Sequence, residues 1–204
     1  MNVPGKLITL EGVDGAGKST HIQYIADTVR AQERNVIVTR EPGGTELAER
    51  LRDAILQQAM DPLTETLLMF AARADHVARV IRPALQAGSW VICDRFSDAT
   101  AAYQGAGKGV SGELIRSLGE AVHPGLRPDR TLVFDCSYEV SRQRLQASGK
   151  PLDRFEREDR AFFERVRGAY LAAASAEPER IRVINAAAGL ENIREAIARG
   201  LYGL

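Results

Sequence analysis

The segment Gly12-Val13-Asp14-Gly15-Ala16-Gly17-Lys18-Ser19 matches the pattern G-x-x-x-x-G-K-[ST] at every required position. It follows the apolar run Lys6–Glu11 and precedes a helical pattern, which is the context that this motif requires. Glycines let backbone N–H groups turn toward an anion, and the N-terminus of the helix adds partial positive charge. The segment therefore predicts a P-loop that binds ATP or GTP. The predicted nucleotide-binding residues are Gly12, Val13, Asp14, Gly15, Ala16, Gly17, Lys18, Ser19 and Thr20.

Short β-rich runs alternate with longer helical patterns on both sides of this loop. Helical spacing of apolar residues fills the intervals, and Asp61-Pro62 marks one helix start. Such alternation predicts an α/β fold with a five-stranded parallel sheet and helices on both faces. The expected strands are Lys6–Glu11, Asn35–Arg40, Ser89–Asp94, Arg130–Asp135 and Arg180–Ile184.

Composition narrows the class of protein. The 204 residues fit one domain spanning 1–204, and the formal net charge of zero argues against a strongly basic nucleic-acid binder. No stretch is long and apolar enough to cross a membrane, and the start of the chain does not resemble a signal sequence. Cys93 and Cys136 fit no disulfide framework or zinc spacing, so we expect reduced, buried thiols and a cytoplasmic location.

The remaining motifs separate the classes of nucleotide-binding protein. None of the four asparagines is followed by lysine, so the Asn-Lys-x-Asp segment of GTPase switches is missing. Arg40 and Arg95 each follow a predicted strand directly, at the edge where open α/β sheets bind ligands. A single arginine at the end of a strand is more often a solvated side chain than a ligand-binding one. Two beside a P-loop favour a phosphotransferase whose acceptor carries phosphate.

Four further segments resemble the thymidylate kinase family, in family order along the chain. They are Thr39–Thr45 (TREPGGT), Leu67–His76 (LLMFAARADH), Asp94–Phe96 with Ala102–Gly105 (DRF, AYQG), and Leu152–Glu156 (LDRFE). The resemblance reaches from Leu7 to Tyr170. It implies a fold like that of P-loop nucleoside monophosphate kinases, with ATP, Mg²⁺ and dTMP as ligands and a homodimer as the assembly.

The resemblance also implies roles for individual residues. Phe70 would stack on thymine and Arg73 would bond its polar edge, while Thr100 and Gln104 would line the base pocket. Asp14 would accept a hydrogen bond from the 3′-hydroxyl, and Tyr103 would crowd the 2′ position. The other implied roles are acceptor-phosphate binding by Arg40 and Arg95, transfer chemistry at Lys18, Arg95 and Asp94, and Mg²⁺ binding by Ser19 and Asp94.

The arginine that stabilises the transferring phosphoryl group differs within this family. Some members carry it in the P-loop, but Gly15 and Ala16 occupy that position here. A lid at about residues 146–155 is therefore expected to supply the cation. Arg144 is the first candidate and Arg154 the second, with Arg142 and Lys150 behind them, and solvated helix arginines remain the alternative for Arg142 and Arg144.

Other expectations stay open at this point. Asp135 ends the fourth strand and is assigned a structural contact. The irregular stretches Gln104–Gly112 and Gln146–Leu152 are expected to be either surface loops or mobile lids. The apolar segments Ile55–Met60 and Leu63–Met69 are the expected dimer surfaces. Two alternative functions remain, a P-loop kinase for another nucleotide or small metabolite, and an ATP-binding regulatory module.

Overall fold

The computed structural model describes residues 5–204. Its five strands form one parallel sheet in the order β2-β3-β1-β4-β5. The α/β prediction is confirmed, and each strand begins and ends within one residue of its expected position. The strands are β1 (Leu7–Glu11), β2 (Val36–Arg40), β3 (Trp90–Asp94), β4 (Arg130–Asp135) and β5 (Ile181–Asn185).

Nine α-helices connect and cover these strands within the described range. None of them combines the length and apolarity needed to cross a bilayer. They are α1 (Lys18–Arg30), α2 (Glu46–Gln57), α3 (Pro62–His76), α4 (Arg82–Gln86), α5 (Ser97–Thr100), α6 (Gly112–Val122), α7 (Tyr138–Ala147), α8 (Arg160–Ala176) and α9 (Leu190–Leu201).

The pleat of β1 shows how the two faces of the sheet are covered. Ile8 and Leu10 pack in a core that includes Ile25 of α1 and Ile197 of α9. Leu7 points to the opposite face, where it packs against the helical segment 77–86. All five strand residues are buried, so β1 carries the P-loop at its carboxyl end from the centre of the sheet.

Two π-helical segments interrupt the α-helices. The first, Val77–Ile81, lies between α3 and α4 and precedes Pro83, whose missing N–H cannot continue the regular ladder. The second, Ala101–Gly107, continues α5.

This second segment corrects the loop expected at Gln104–Gly112, because its first four residues are helical and Gln104 and Gly107 are buried. A Cβ atom on Gly107 would lie only 2.6 Å from Phe162 Cε2 of α8, so glycine here permits close helix packing rather than a turn. The second expected loop belongs to an irregular connection, residues 148–159, between α7 and α8.

Candidate active site

The P-loop has a backbone that only glycine adopts easily at three positions. Gly12, Gly15 and Gly17 have φ angles of 127°, 73° and 91°. A Cβ on Gly12 would lie 2.3 Å from the Phe134 carbonyl oxygen, so strand packing also demands glycine there. Gly17 is the residue directly before α1, so the loop ends at a helix N-terminus. This arrangement presents N–H groups and positive helix-end charge to an anion.

Lys18, Ser19 and Thr20 form the first turn of α1. The Lys18 Nζ donates to the carbonyl oxygens of Gly12 and Val13 at 3.1 and 3.2 Å, which places the ammonium over the loop. Burial lowers the pKa of Lys18, and the nearby charge of Arg95 lowers it further. Ser19 and Thr20 are exposed, so their hydroxyls are open to ligands.

Arg95 joins the end of β3 to the P-loop. Its Nη1 donates to the Gly12 carbonyl at 2.9 Å, and its Nη2 donates to Asp14 Oδ1 at 2.5 Å and Tyr103 Oη at 3.0 Å. Tyr103 in turn donates to Asp14 Oδ2 at 2.8 Å. Burial alone would raise the pKa of Asp14, but the charges of Arg95 and Lys18 outweigh it and hold that pKa below its usual range. Three predicted site residues thus form one ionic cluster.

The backbone of Arg95 has a φ of 69°, which is a strained value for a residue with a side chain. Its N–H donates to the Leu10 carbonyl at 2.9 Å. Glu11 holds the following residue, because its Oε1 accepts from Phe96 N–H at 2.7 Å and its Oε2 accepts from Tyr170 at 2.8 Å. Burial, and then the charge of Asp98, raise the pKa of Glu11 to about 8. The sequence motif gave no indication of this role for Glu11.

Asp94 ends β3 beside the P-loop. Its Oδ1 is buried and has no hydrogen-bond partner among residues 5–204. A buried carboxyl oxygen left without a partner in this way is costly unless a ligand satisfies it. Carboxylate and hydroxyl oxygens are the ligands that Mg²⁺ prefers, so Asp94 and Ser19 fit a magnesium site chemically.

A cavity opens next to the Arg95 cluster. Its wall combines apolar groups with a few charged ones, as is typical of small-molecule sites. The predicted residues Asp14, Arg73, Arg95, Thr100, Tyr103 and Gln104 all line it, together with Glu41, Pro42, Arg52, Leu56, Met69, Phe96, Ala99, Asp153 and Phe155.

Arg73 is the most constrained cation of this cavity, with 3% of its surface exposed. Its Nη2 donates to the Phe96 carbonyl at 3.1 Å and to Thr100 Oγ1 at 3.0 Å. Its guanidinium lies between the rings of Phe70 and Phe96, 5.0 and 5.1 Å from their centroids. Its Nη1 is buried without a partner in the described chain. Both N–H groups of Nη1 are therefore unpaired within residues 5–204, in a residue that lines the cavity.

Glu41 braces Arg73 from behind. Its Oε2 accepts from Arg73 Nε at 2.6 Å and its Oε1 bonds His76 Nδ1 at 3.0 Å, while His76 Nε2 bonds Thr39 Oγ1 at 2.7 Å. Burial would raise the pKa of Glu41, but the charge of Arg73 holds it low. The possible ligand atoms of Glu41, His76 and Cys93 lie within 4.8 Å of one another, a spacing that could hold a metal ion. Both Glu41 oxygens and both His76 ring nitrogens already have protein partners, so we interpret these residues as a support for Arg73.

Two predicted substrate residues lie off the cavity wall. Arg40 pairs with Glu49 at 2.8 Å, and 55% of its side chain is exposed. Phe70 is buried beneath Arg73 and does not line the cavity.

Arg52, which sequence reasoning missed, does line the cavity. It donates to the Pro42 carbonyl at 2.9 Å, and burial together with the charge of Arg40 lowers its pKa. Arg52 lies four residues after buried Ala48 and three before buried Ile55, so it shares the apolar face of α2. An arginine is unusual on such a face, and this pattern could have identified Arg52 from the sequence.

The four candidates for the lid cation lie in different parts of the structure. Arg144 on α7 donates to the carbonyls of Ala16 and Ala186, at 3.1 and 2.7 Å, so it contacts the P-loop. Arg142 donates to the Glu156 carbonyl at 2.6 Å. Arg154 instead bonds Ile55 O and Glu65 on the cavity side. Lys150 is exposed.

Asp135 shows the structural contact that was expected of it. Its two carboxylate oxygens accept from Arg167 of α8 at 2.6 and 2.8 Å. This bidentate pair ties the end of β4 to α8.

A P-loop at the centre of a parallel sheet, joined through Asp14 and Arg95 to a cavity with buried arginines, defines a P-loop kinase of the nucleoside monophosphate kinase type. Comparison with known proteins agrees. The family model described as Thymidylate kinase matches residues 10–197. The chain belongs to the thymidylate kinase family.

Individual relatives extend this result over the full length. The chain is 52% identical to the thymidylate kinase of Thiobacillus denitrificans, with all of both proteins covered. It is 51% identical to that of Bordetella petrii, over the whole chain and 98% of the relative. The crystal structure of thymidylate kinase from Ehrlichia chaffeensis superposes with a TM-score of 0.77 at 34% identity, covering 96% of this chain and 99% of that one.

Proposed function

We propose that this enzyme transfers the γ-phosphoryl group of ATP to thymidine monophosphate, giving ADP and dTDP, with Mg²⁺ as the metal. The observation that carries the acceptor assignment is the unpartnered Nη1 of Arg73, a residue that lines the same cavity as Asp14 and Arg95. A rigid donor at one end of the cavity suits the carbonyl edge of a pyrimidine. An arginine at the other end suits its phosphate.

On the donor side, the P-loop N–H groups and Lys18 hold the phosphates of ATP. Arg144 is the cation that we assign to the γ-phosphoryl, because its guanidinium already contacts the P-loop at Ala16. Ser19 and Asp94 would hold Mg²⁺, which supplies charge neutralisation at the phosphates.

On the acceptor side, Arg95 and Arg52 hold the monophosphate, and Arg40 contributes charge from just outside the cavity. A phosphate oxygen is already ionised near neutral pH and needs no general base. Catalysis then comes from aligning acceptor and donor and from offsetting charge as it moves.

The sugar lies between the two ends. Asp14 accepts from the 3′-hydroxyl, and the Tyr103 ring crowds the 2′ position, which favours deoxyribose. Thr100 and Gln104 line the base pocket, and Phe70 packs beneath the Arg73 guanidinium and supports it there. Asp14 keeps its charge in this cluster because Arg95 is paired with it.

The proposal is tested by following ADP release with ATP and Mg²⁺ in the presence and absence of dTMP. We expect rapid release that needs all three components. ADP release that dTMP does not stimulate would contradict the assignment.

We further propose a cytoplasmic homodimer. Leu47, Leu63 and Leu67 expose 45–51% of their surfaces on the neighbouring helices α2 and α3, and such a group of exposed apolar side chains suits an interface. Ile55 is buried within the protomer and does not contribute. The free, buried thiols Cys93 and Cys136 suit a reducing compartment. Sedimentation equilibrium should give twice the chain mass for the native protein, and Leu67→Glu should shift it toward the monomer.

A further inference from the structure

Glu65 of α3 is a carboxylate with no exposed surface and no place in the chemistry described above. Its Oε1 accepts from the Gln104 Nε2 at 2.7 Å. Its Oε2 accepts from Lys108 Nζ at 2.8 Å and from Arg154 Nη2. A buried carboxylate survives only when cations and donors compensate it, and here three residues from distant parts of the chain do so.

The bond to Gln104 has a consequence for the cavity. A carboxylate can only accept hydrogen bonds, so it fixes which end of the Gln104 carboxamide is the NH₂ group. Gln104 is 1% exposed and lines the cavity, and its Oε1 receives no hydrogen bond from any described residue. Glu65 therefore leaves an acceptor, and not a donor, for whatever base occupies the cavity.

The bonds to Arg154 and Lys108 connect the same carboxylate to the connection between α7 and α8. Arg154 follows Asp153 and precedes Phe155, and both of these line the cavity. The guanidinium of Arg154 and the ammonium of Lys108 lie 4.5 and 4.6 Å from the centroid of the Phe155 ring. The carboxylate that orients Gln104 thus also anchors the segment that covers the cavity.

We propose that Glu65 is a positioning residue that makes the pocket specific for a base with an N–H donor on its polar edge, by holding the Gln104 carboxamide with its oxygen toward the ligand and the Arg154 segment over it. This inference rests on the proposed function, because it concerns the same acceptor site.

The chemistry of pyrimidines makes the inference specific. Thymine and uracil carry N3–H beside the O4 acceptor, so they match an oxygen from Gln104 and a donor from Arg73. Cytosine reverses both positions, with an unprotonated N3 beside an amino group. A fixed carboxamide would therefore reject dCMP, whereas a freely rotating one could turn its NH₂ group toward cytosine N3.

The experiment compares wild type with Glu65→Gln, measuring kcat and KM for dTMP, dCMP and ATP. Glutamine keeps the shape but offers Gln104 either a donor or an acceptor, and it removes the charge that holds Arg154. We expect roughly a tenfold or larger rise in the KM for dTMP and a similar fall in the dTMP-to-dCMP ratio of kcat/KM, with the KM for ATP nearly unchanged.

Two further variants keep the test decisive. Glu65→Asp retains the charge that Lys108 and Arg154 require but withdraws the acceptor from Gln104, so it addresses selectivity even if Glu65→Gln does not fold. Glu46→Gln on α2 removes an exposed carboxylate paired with Arg50 at 2.5 Å and serves as the matched control. It should behave as wild type.

The outcomes distinguish a failure of the positioning role of Glu65 from a failure of the proposed function. If wild type uses dTMP, and the folded Glu65 variants keep its dTMP-to-dCMP ratio and its KM for dTMP, the positioning role is wrong and the proposed function stands. If KM values for ATP and dTMP rise together without loss of selectivity, Glu65 is merely structural and the inference fails. A wild type that does not use dTMP overturns the proposed function itself.

Discussion

Replacing Arg73 by lysine isolates the donor that we assign to base recognition. Arg73→Ala would leave Glu41 as an uncompensated buried charge, which can cost about 3–5 kcal/mol of stability. Lysine keeps a positive charge for Glu41 but loses the planar fork, and with it the free Nη1 and the bonds to Phe96 and Thr100. Each lost internal hydrogen bond from this charged donor costs about 1.5–3 kcal/mol, so the folding of the variant is checked by urea unfolding.

The effect on substrate follows from the lost donor. A hydrogen bond from a charged group contributes about 1.5–3 kcal/mol, which corresponds to roughly a 10- to 150-fold rise in the KM for dTMP. The KM for ATP should barely change, because Arg73 belongs to the cavity wall and not to the P-loop.

Steady-state kinetics with each substrate varied in turn measures both constants, and urea unfolding confirms the fold. Arg50→Lys, at an exposed position of α2, is the control. Equal rises in both KM values, or an unchanged KM for dTMP in a folded protein, would refute the assignment.

The remaining predictions concern the donor side and the pH response. Lys18→Ala should abolish ADP release in a protein that urea unfolding shows to be folded, and near-normal turnover would exclude the P-loop assignment. Arg144→Ala should lower kcat by at least about 100-fold with little change in either KM. Arg154→Ala, measured side by side, should act mainly on the KM for dTMP. The reverse pattern would mean that Arg154, and not Arg144, contacts the transferring phosphoryl group. The pKa of Glu11 is raised from 4.5 to about 8, so the unfolded chain releases this proton first. The free energy of unfolding should therefore fall as pH rises across that interval, by roughly 1.4 kcal/mol per unit. Glu11→Gln should flatten this slope in urea titrations at pH 5 and pH 8, and an equal slope in both proteins would contradict the burial argument.

Local chemistry explains what the sequence alone could predict. The P-loop depends on glycine conformations and a helix start within eight consecutive residues, and the strands of the sheet are short, mostly apolar runs. Asp94 ends a strand and Arg95 follows it directly, so the edge of the sheet fixes their position. Such features need no knowledge of distant contacts.

The rest of the site depends on contacts between residues far apart in sequence. The sequence does not distinguish a buried glutamate from an exposed one. Only the fold pairs Glu41 with Arg73 and Glu65 with Arg154. Similarly, Arg40 was predicted to reach the acceptor because it ends a strand. Pairing with Glu49 holds it at the surface, while Arg52 lines the cavity from a helix.

The glycine-rich stretch after Tyr103 illustrates how tertiary packing outweighs local propensity. Four glycines within nine residues indicate a loop when considered alone. The structure makes part of the stretch a π-helical segment, because Gly107 allows contact with Phe162 and the buried Gln104 finds its partner on α3. Long-range contacts stabilise this helical segment although its sequence has a low helix propensity.

A panel of nucleoside monophosphates identifies the acceptor. ADP release would be measured with ATP and Mg²⁺ for dTMP, dUMP, dCMP, dAMP and dGMP at matched concentrations. We expect the highest kcat/KM for dTMP, with dUMP next because it shares the N3–H edge, and little use of dCMP or the purines. A purine nucleotide or dCMP as the best acceptor would contradict this expectation.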